Sequence, residues 1–160
     1  LILFANDHLA NSKVLEYPDF LIGMADVHTG PYEWFQPWIG CRDYTLPGRP
    51  EVAEVRYPGL AGDPGHDLAA RQMAAFGGMV AFRPAGGVEA AKRLVAATEV
   101  FILAESLGGV ESLIELPGEM THASVAGTAA EVPADLVRLS VGVEHPDDLV
   151  ADLAQALDRA

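Results

Sequence analysis

Hydrophobic and polar positions change rhythm near Gly48-Arg49-Pro50. Before that point Trp34, Phe35 and Trp38 stand among Gly30, Pro31, Pro37, Gly40 and Pro47, and neither a 3.6-residue nor a 2.0-residue period is sustained. After it, alternating and amphipathic stretches take turns. Residues 52–57 read as a strand ended by Pro58-Gly59, residues 66–73 as a short helix after Asp63-Pro64-Gly65, and residues 78–83 as a second strand. Beyond Gly86-Gly87, Val88, Ala91 and Val95 share one face of a helix from which Glu89, Lys92 and Arg93 are absent. Residues 100–103 and 112–116 are further strands, each bounded by Gly or Pro. In residues 136–143 the alternation is clearest: Val137, Leu139, Val141 and Val143 on one side, Arg138, Ser140 and Gly142 on the other. A last helix starts at Pro146, carries Asp147 and Asp148 in its first turn as the helix dipole favours, and lines up Leu149, Leu153 and Leu157.

These elements predict an α/β (α+β) domain over residues 50–160, a small sheet with helices on one face, preceded by an irregular segment, residues 1–49, to which no role is assigned. The uncovered sheet face is free to meet another domain. At 160 residues the chain is long enough for one well-packed core.

Composition narrows the function classes. Ten basic against 23 acidic residues, a formal net charge of −13, would repel a phosphate backbone, so nucleic acid is excluded as a partner. No apolar run approaches the ~20 residues that span a bilayer, and Leu1-Ile2-Leu3-Phe4-Ala5 is too short for a signal-peptide core and has no basic flank. The expectation is a soluble, cytoplasmic protein, and Leu1 in place of an initiator Met suggests a fragment or processed product. Cys41 is alone, which rules out an internal disulfide and argues against a cysteine metal site. Asn6-Asp7-His8 and Asp26-Val27-His28 contain metal-ligating types, but neither brings enough partners, so no metal is expected. Neither a Walker A loop nor a Gly-x-Gly-x-x-Gly turn is present.

Chemistry-bearing residues concentrate late in the chain. Glu105 and Ser106 follow a strand and precede Gly108-Gly109, so a turn can present both at the sheet edge. Arg138 stands on the polar side of its strand, and a planar guanidinium is the group that grips a carboxylate with two parallel hydrogen bonds.

The stretch Leu103-Ala-Glu-Ser-Leu-Gly-Gly-Val-Glu-Ser-Leu-Ile-Glu-Leu-Pro117, then Met120-Thr-His-Ala-Ser124 and Leu136-Val-Arg-Leu-Ser-Val-Gly-Val-Glu144, resembles the pyridoxal-phosphate enzymes of cysteine and methionine metabolism, with cystathionine γ-synthase and γ-lyase as the nearest likeness. The resemblance covers residues 50–160. It implies the carboxy-terminal domain of a fold-type I enzyme with a mostly antiparallel sheet, and pyridoxal 5′-phosphate as the cofactor of the intact enzyme. It implies that Arg138, Ser106 and Thr121 hold the substrate, that Ser106 helps fix its carboxylate or the catalytic lysine, and that Glu105 faces its distal end and biases the pocket toward γ chemistry. His122 and Ser124 are expected to stabilise a local turn, and His66 and Arg71 to be structural. Implied partners are an amino acid such as cystathionine or an O-acylhomoserine, the missing large domain, and further copies of the chain.

The lysines are Lys13 and Lys92, and neither stands in a sequence like the family's cofactor lysine. This chain is therefore not expected to bind the cofactor covalently or to be active alone. Synthase and lyase share this pocket text and are not separated by it. A non-catalytic remnant that binds another protein through its open sheet face is the alternative.

Overall fold

The computed structural model describes residues 46–160. Most of the segment 1–49, with Lys13, Cys41 and the two Asp/His pairs, lies outside the described residues. In chain order the elements are β1 (Val52–Arg56), α1 (His66–Gln72), β2 (Met79–Pro84), α2 (Gly87–Ala97), β3 (Ile102–Leu103), β4 (Leu113–Glu115), α3 (Pro117–Met120), a 3-10 turn (Ala123–Val125), β5 (Val137–Ser140) and α4 (Pro146–Asp158). The strands form one sheet in the order β1-β2-β5-β4-β3. Only β3 and β4 run parallel, so the sheet is mostly antiparallel as expected.

Alternation assigns the two faces. Val80 and Phe82 of β2, Ile114 of β4, and Val137 and Leu139 of β5 are nearly inaccessible and share one apolar cluster with Leu94 and Val95 of α2 and Leu149, Leu153 and Leu157 of α4. At roughly 1.5–3 kcal/mol for each fully buried large side chain, this helix-covered face supplies most of the domain's cohesion. The opposite face carries Glu54 and Arg56 of β1, Ala81 and Arg83 of β2, Arg138 of β5 and Glu115 of β4, matched by the cross-strand register. Both α4 features hold: Pro146 opens it and Leu149, Leu153 and Leu157 are buried.

Three elements differ from the sequence expectation, each for a local reason. β3 has two residues rather than four, because the backbone N–H groups of Glu99, Val100 and Phe101 donate to the Asp152 carboxylate at 2.7, 2.8 and 2.9 Å. β5 ends at Ser140 and leaves Val143 exposed, because Gly142 packs directly on the backbone of Val110 and Glu111, where no side chain fits. The inward face of α2 is centred on Ala90, Ala91, Leu94 and Val95, with Val88 only half-buried at its margin.

Among the described residues no helix is long and apolar enough to cross a membrane, and no group of three His, Cys, Asp or Glu side chains could hold a metal ion.

Candidate functional site

The site grows out of the open sheet face. Register places Arg138 directly between Ala81 of β2 and Glu115 of β4. Arg138 Nη1 lies 3.0 Å from Glu115 Oε1, and Nη2 donates to the backbone carbonyl of Ser106 at 3.1 Å. Thr121, just past α3, donates its hydroxyl to the same Glu115 Oε1 at 3.1 Å and sits 2.8 Å from His122 Nδ1. Of the four residues expected at the site, Arg138, Ser106 and Thr121 therefore converge on one point. Glu105 is adjacent in the chain but exposed.

Ser106 meets Arg138 through its backbone. Its carbonyl, rather than its hydroxyl, meets the guanidinium, and the residue is exposed. The loop that brings it there is pinned at two points that follow Ser106. Gly108, at φ +70° in the left-handed region that favours glycine, donates its N–H to Ser140 Oγ at 2.7 Å. Buried Ser112 donates its hydroxyl to Glu144 Oε2 at 2.7 Å and accepts from Gly142 N at 2.9 Å. Anchored to Ser140 of β5 and to Gly142 and Glu144 just beyond it, the loop can hold the Ser106 carbonyl still.

Glu115 is the residue of this cluster that sequence reasoning missed. Its side chain is 1 % exposed, and the run Ser112-Leu-Ile-Glu-Leu116 looks like an apolar strand cut by Pro117. The signal in the sequence was a lone carboxylate inside that apolar run. Burying an ion costs on the order of several kcal/mol unless a close partner offsets it, so Glu115 has to be read with Arg138. The offset is incomplete: Glu115 Oε2 and Arg138 Nε are both buried and have no hydrogen-bond partner among the described residues.

A second arginine on the same face shows what a finished contact looks like. Arg83 gives both Nε and Nη2 to Asp135, at 2.8 and 2.9 Å, and that hydrogen bond, with the charge of Asp135, raises its pKa. Its fork is filled. Arg138 is held by one ion pair and one hydrogen bond and keeps donors for a further acceptor. The geometry thus offers one guanidinium with spare capacity, flanked by hydroxyl and carbonyl groups, on a face no helix covers.

Residues 44–158 match the model of the Cys/Met metabolism PLP-dependent enzyme family. The chain belongs to that family. It is 63% identical over 112 residues to cystathionine gamma-synthase of Mycobacterium bovis, covering 70% of this chain and 29% of that protein. To cystathionine gamma-lyase of Dictyostelium discoideum it is 48% identical over 117 residues, covering 71% and 30%. The crystal structure of cystathionine gamma synthase from Xanthomonas oryzae, in complex with aminoacrylate and cysteine, superposes with a TM-score of 0.68 at 41% identity over 84% of this chain and 34% of that one. The chain thus spans less than a third of the curated relatives it matches.

Intact members of the Cys/Met metabolism family depend on pyridoxal 5′-phosphate. The described residues do not fit a covalent anchor for it. Lys92 Nζ pairs with Glu119 Oε1 at 2.8 Å, and that hydrogen bond and charge raise its pKa, the reverse of what a Schiff-base amine needs. His66 is structural in its contacts, since Nδ1 lies 2.7 Å from the Pro58 carbonyl and the ring stacks on Phe76 at 5.3 Å, while Arg71 is exposed. The turn after Thr121 is closed by backbone bonds, Val125 N to His122 O and Ala126 N to Ala123 O, without a side-chain cap; the His122 ring goes to Thr121 instead.

Proposed function

We propose that residues 50–160 are the carboxy-terminal domain of a cystathionine γ-synthase or γ-lyase type enzyme and form the wall of its active site that grips the substrate carboxylate. The observation that carries this reading is the partly satisfied guanidinium of Arg138 on the open face of the sheet. Amino-acid chemistry at a cofactor depends on which bond is held perpendicular to the ring, and a two-point grip on the α-carboxylate sets that orientation. In this reading Arg138 is the clamp, the hydroxyls of Thr121 and Ser106 line the pocket, and Glu105 faces the distal end of the substrate. The large domain, with its lysine and cofactor, comes from outside the described residues.

The test is reconstitution. The chain is mixed with, or joined to, a separately produced large domain carrying pyridoxal phosphate, and replacement at an O-acylhomoserine and cleavage of cystathionine are both assayed. Activity is expected only when both parts are present, and the preferred reaction separates synthase from lyase. A chain that forms no complex and restores neither reaction is a non-catalytic remnant, and the proposal fails.

A further inference from the structure

We infer that Glu115 is a positioning residue of the carboxylate clamp, acting on the substrate only through Arg138. The inference rests on the reading of Arg138 given above and adds a residue to it. Glu115 and Arg138 are cross-strand neighbours, so their side chains emerge side by side from β4 and β5. A long arginine on a strand has several rotatable bonds, and an unheld guanidinium would sample many directions. Here three groups remove that freedom. Glu115 Oε1 takes Nη1 at 3.0 Å, the Ser106 carbonyl takes Nη2 at 3.1 Å, and Thr121 fixes Glu115 itself through a 3.1 Å hydrogen bond to the same oxygen. The Glu115 side chain is 1 % exposed, so water does not substitute for its contact with Arg138.

The unpaired atoms separate this role from simple fold stabilisation. A pair built for stability would be bidentate, as Arg83 and Asp135 are. Glu115 meets Arg138 through one oxygen only, and Oε2 and Nε stay buried and unpartnered. Glu115 thus restrains the guanidinium without filling its fork.

A double-mutant cycle in the intact, cofactor-loaded enzyme tests this, using E115A, R138K and the double variant. E115A should raise KM for the amino-acid substrate about tenfold with kcat changed little, the loss of one close, buried ion pair. E115Q, which keeps an acceptor oxygen, should recover most of that loss. In the R138K background E115A should add almost nothing, because its effect passes through the missing fork. Additive penalties, or an unchanged KM in E115A with a lowered melting temperature, would overturn the inference and leave Glu115 a structural residue. An unchanged KM in R138K alone would sink the clamp reading instead. Should E115A not fold, E115Q enters the cycle in its place, with a KM rise of about two- to threefold expected, and additivity with R138K again decides against the inference. Independently of the cofactor, the Arg138 Nε–H of the 160-residue chain should give a sharp, slowly exchanging resonance in the wild type and in E115Q. Averaging to the free-arginine position in the wild type would also overturn the inference.

Discussion

Two buried carboxylates, Asp152 and Glu115, show how the two sides of this sheet differ. Asp152 sits on α4 over the helix-covered face, and every bond it makes is internal. One oxygen accepts from Glu99 N and Gln155 Nε2, at 2.7 and 3.0 Å, and the other from Val100 N and Phe101 N, at 2.8 and 2.9 Å. Burial pushes its pKa up, but the three backbone N–H groups and Gln155 outweigh burial and hold it below the ordinary value. Nothing is left for a ligand to do there, although Gln155 Oε1 itself goes unpaired. Glu115, as deeply buried on the open face, has one oxygen shared by Arg138 and Thr121 and one with no partner. A carboxylate saturated by backbone is a fastener; one that restrains a half-used arginine is, in the reading proposed above, part of a site. The contrast lies in how the bonds are distributed, since burial is alike in the two.

The largest expected effect tests the fastener. D152A removes the acceptor for three backbone N–H groups and should cost about 4 kcal/mol of folding stability, read by denaturant unfolding of the 160-residue chain. The wild-type advantage over D152A should also depend on pH. The folded-state pKa is depressed, so the advantage is complete above the ordinary carboxylate range and is lost as pH falls through the lower, folded value. An advantage that stays constant from neutral pH down to pH ~2 would show that the charge of Asp152 is not what fastens the turn at Glu99 to Phe101.

The next effect belongs to the clamp. R138K keeps a positive charge but has no planar fork, so kcat/KM in the reconstituted enzyme should fall about 100-fold, equivalent to ~2.7 kcal/mol, while the stability of the 160-residue chain changes far less. Equal losses in both measurements would erase the distinction between the two sides of the sheet.

Much of this arrangement was legible in the sequence where local periodicity and local function agree. Val137 and Leu139 alternate with Arg138, and the structure buries the first two and turns the third to the open face. Pro146, the acidic first turn and the leucine spacing located α4 correctly. Legibility ended wherever tertiary pairing overrides local pattern. Glu115 reads as the polar end of an apolar strand, because its partner lies 23 positions away and only the register of β4 against β5 brings them together. Asp152 reads as one more solvated acid on a helix, yet its side chain reaches back to residues 99–101 and shortens β3. The contact of the Ser106 carbonyl with Arg138 was not legible either, because backbone direction rather than residue type delivers it.

A smaller effect probes how the two sides are joined. Gly142 lies against Val110 O and the Glu111 carbonyl carbon, so the methyl group of G142A has to displace the loop that follows Ser106. Overpacking of this kind costs roughly 2 kcal/mol in stability. Because the displaced loop also carries the Ser106 carbonyl, KM should rise in parallel in the reconstituted enzyme. A stability loss with no change in KM would mean that the loop absorbs the shift before Ser106.

The smallest expected effect discriminates most finely. Ser140 accepts from Gly108 N at 2.7 Å, one end of the same loop, and Ser140 is itself buried between its register partners Met79 and Leu113. S140A leaves the Gly108 N–H without its acceptor, a loss of about 1 kcal/mol for a partly buried neutral hydrogen bond. The cavity it opens is only a hydroxyl in size, so the core should not rearrange. If the loop is rigid because of this bond, the Ser106 carbonyl loosens its hold on Arg138 Nη2 and KM rises two- to fivefold, about 0.4–1 kcal/mol, comparable to the stability loss. S140T restores an oxygen at the same position and should restore both quantities together. If S140A lowers stability while KM stays at the wild-type value, the Ser106 contact does not depend on the loop's anchor, and the link between this hydrogen bond and the clamp is broken.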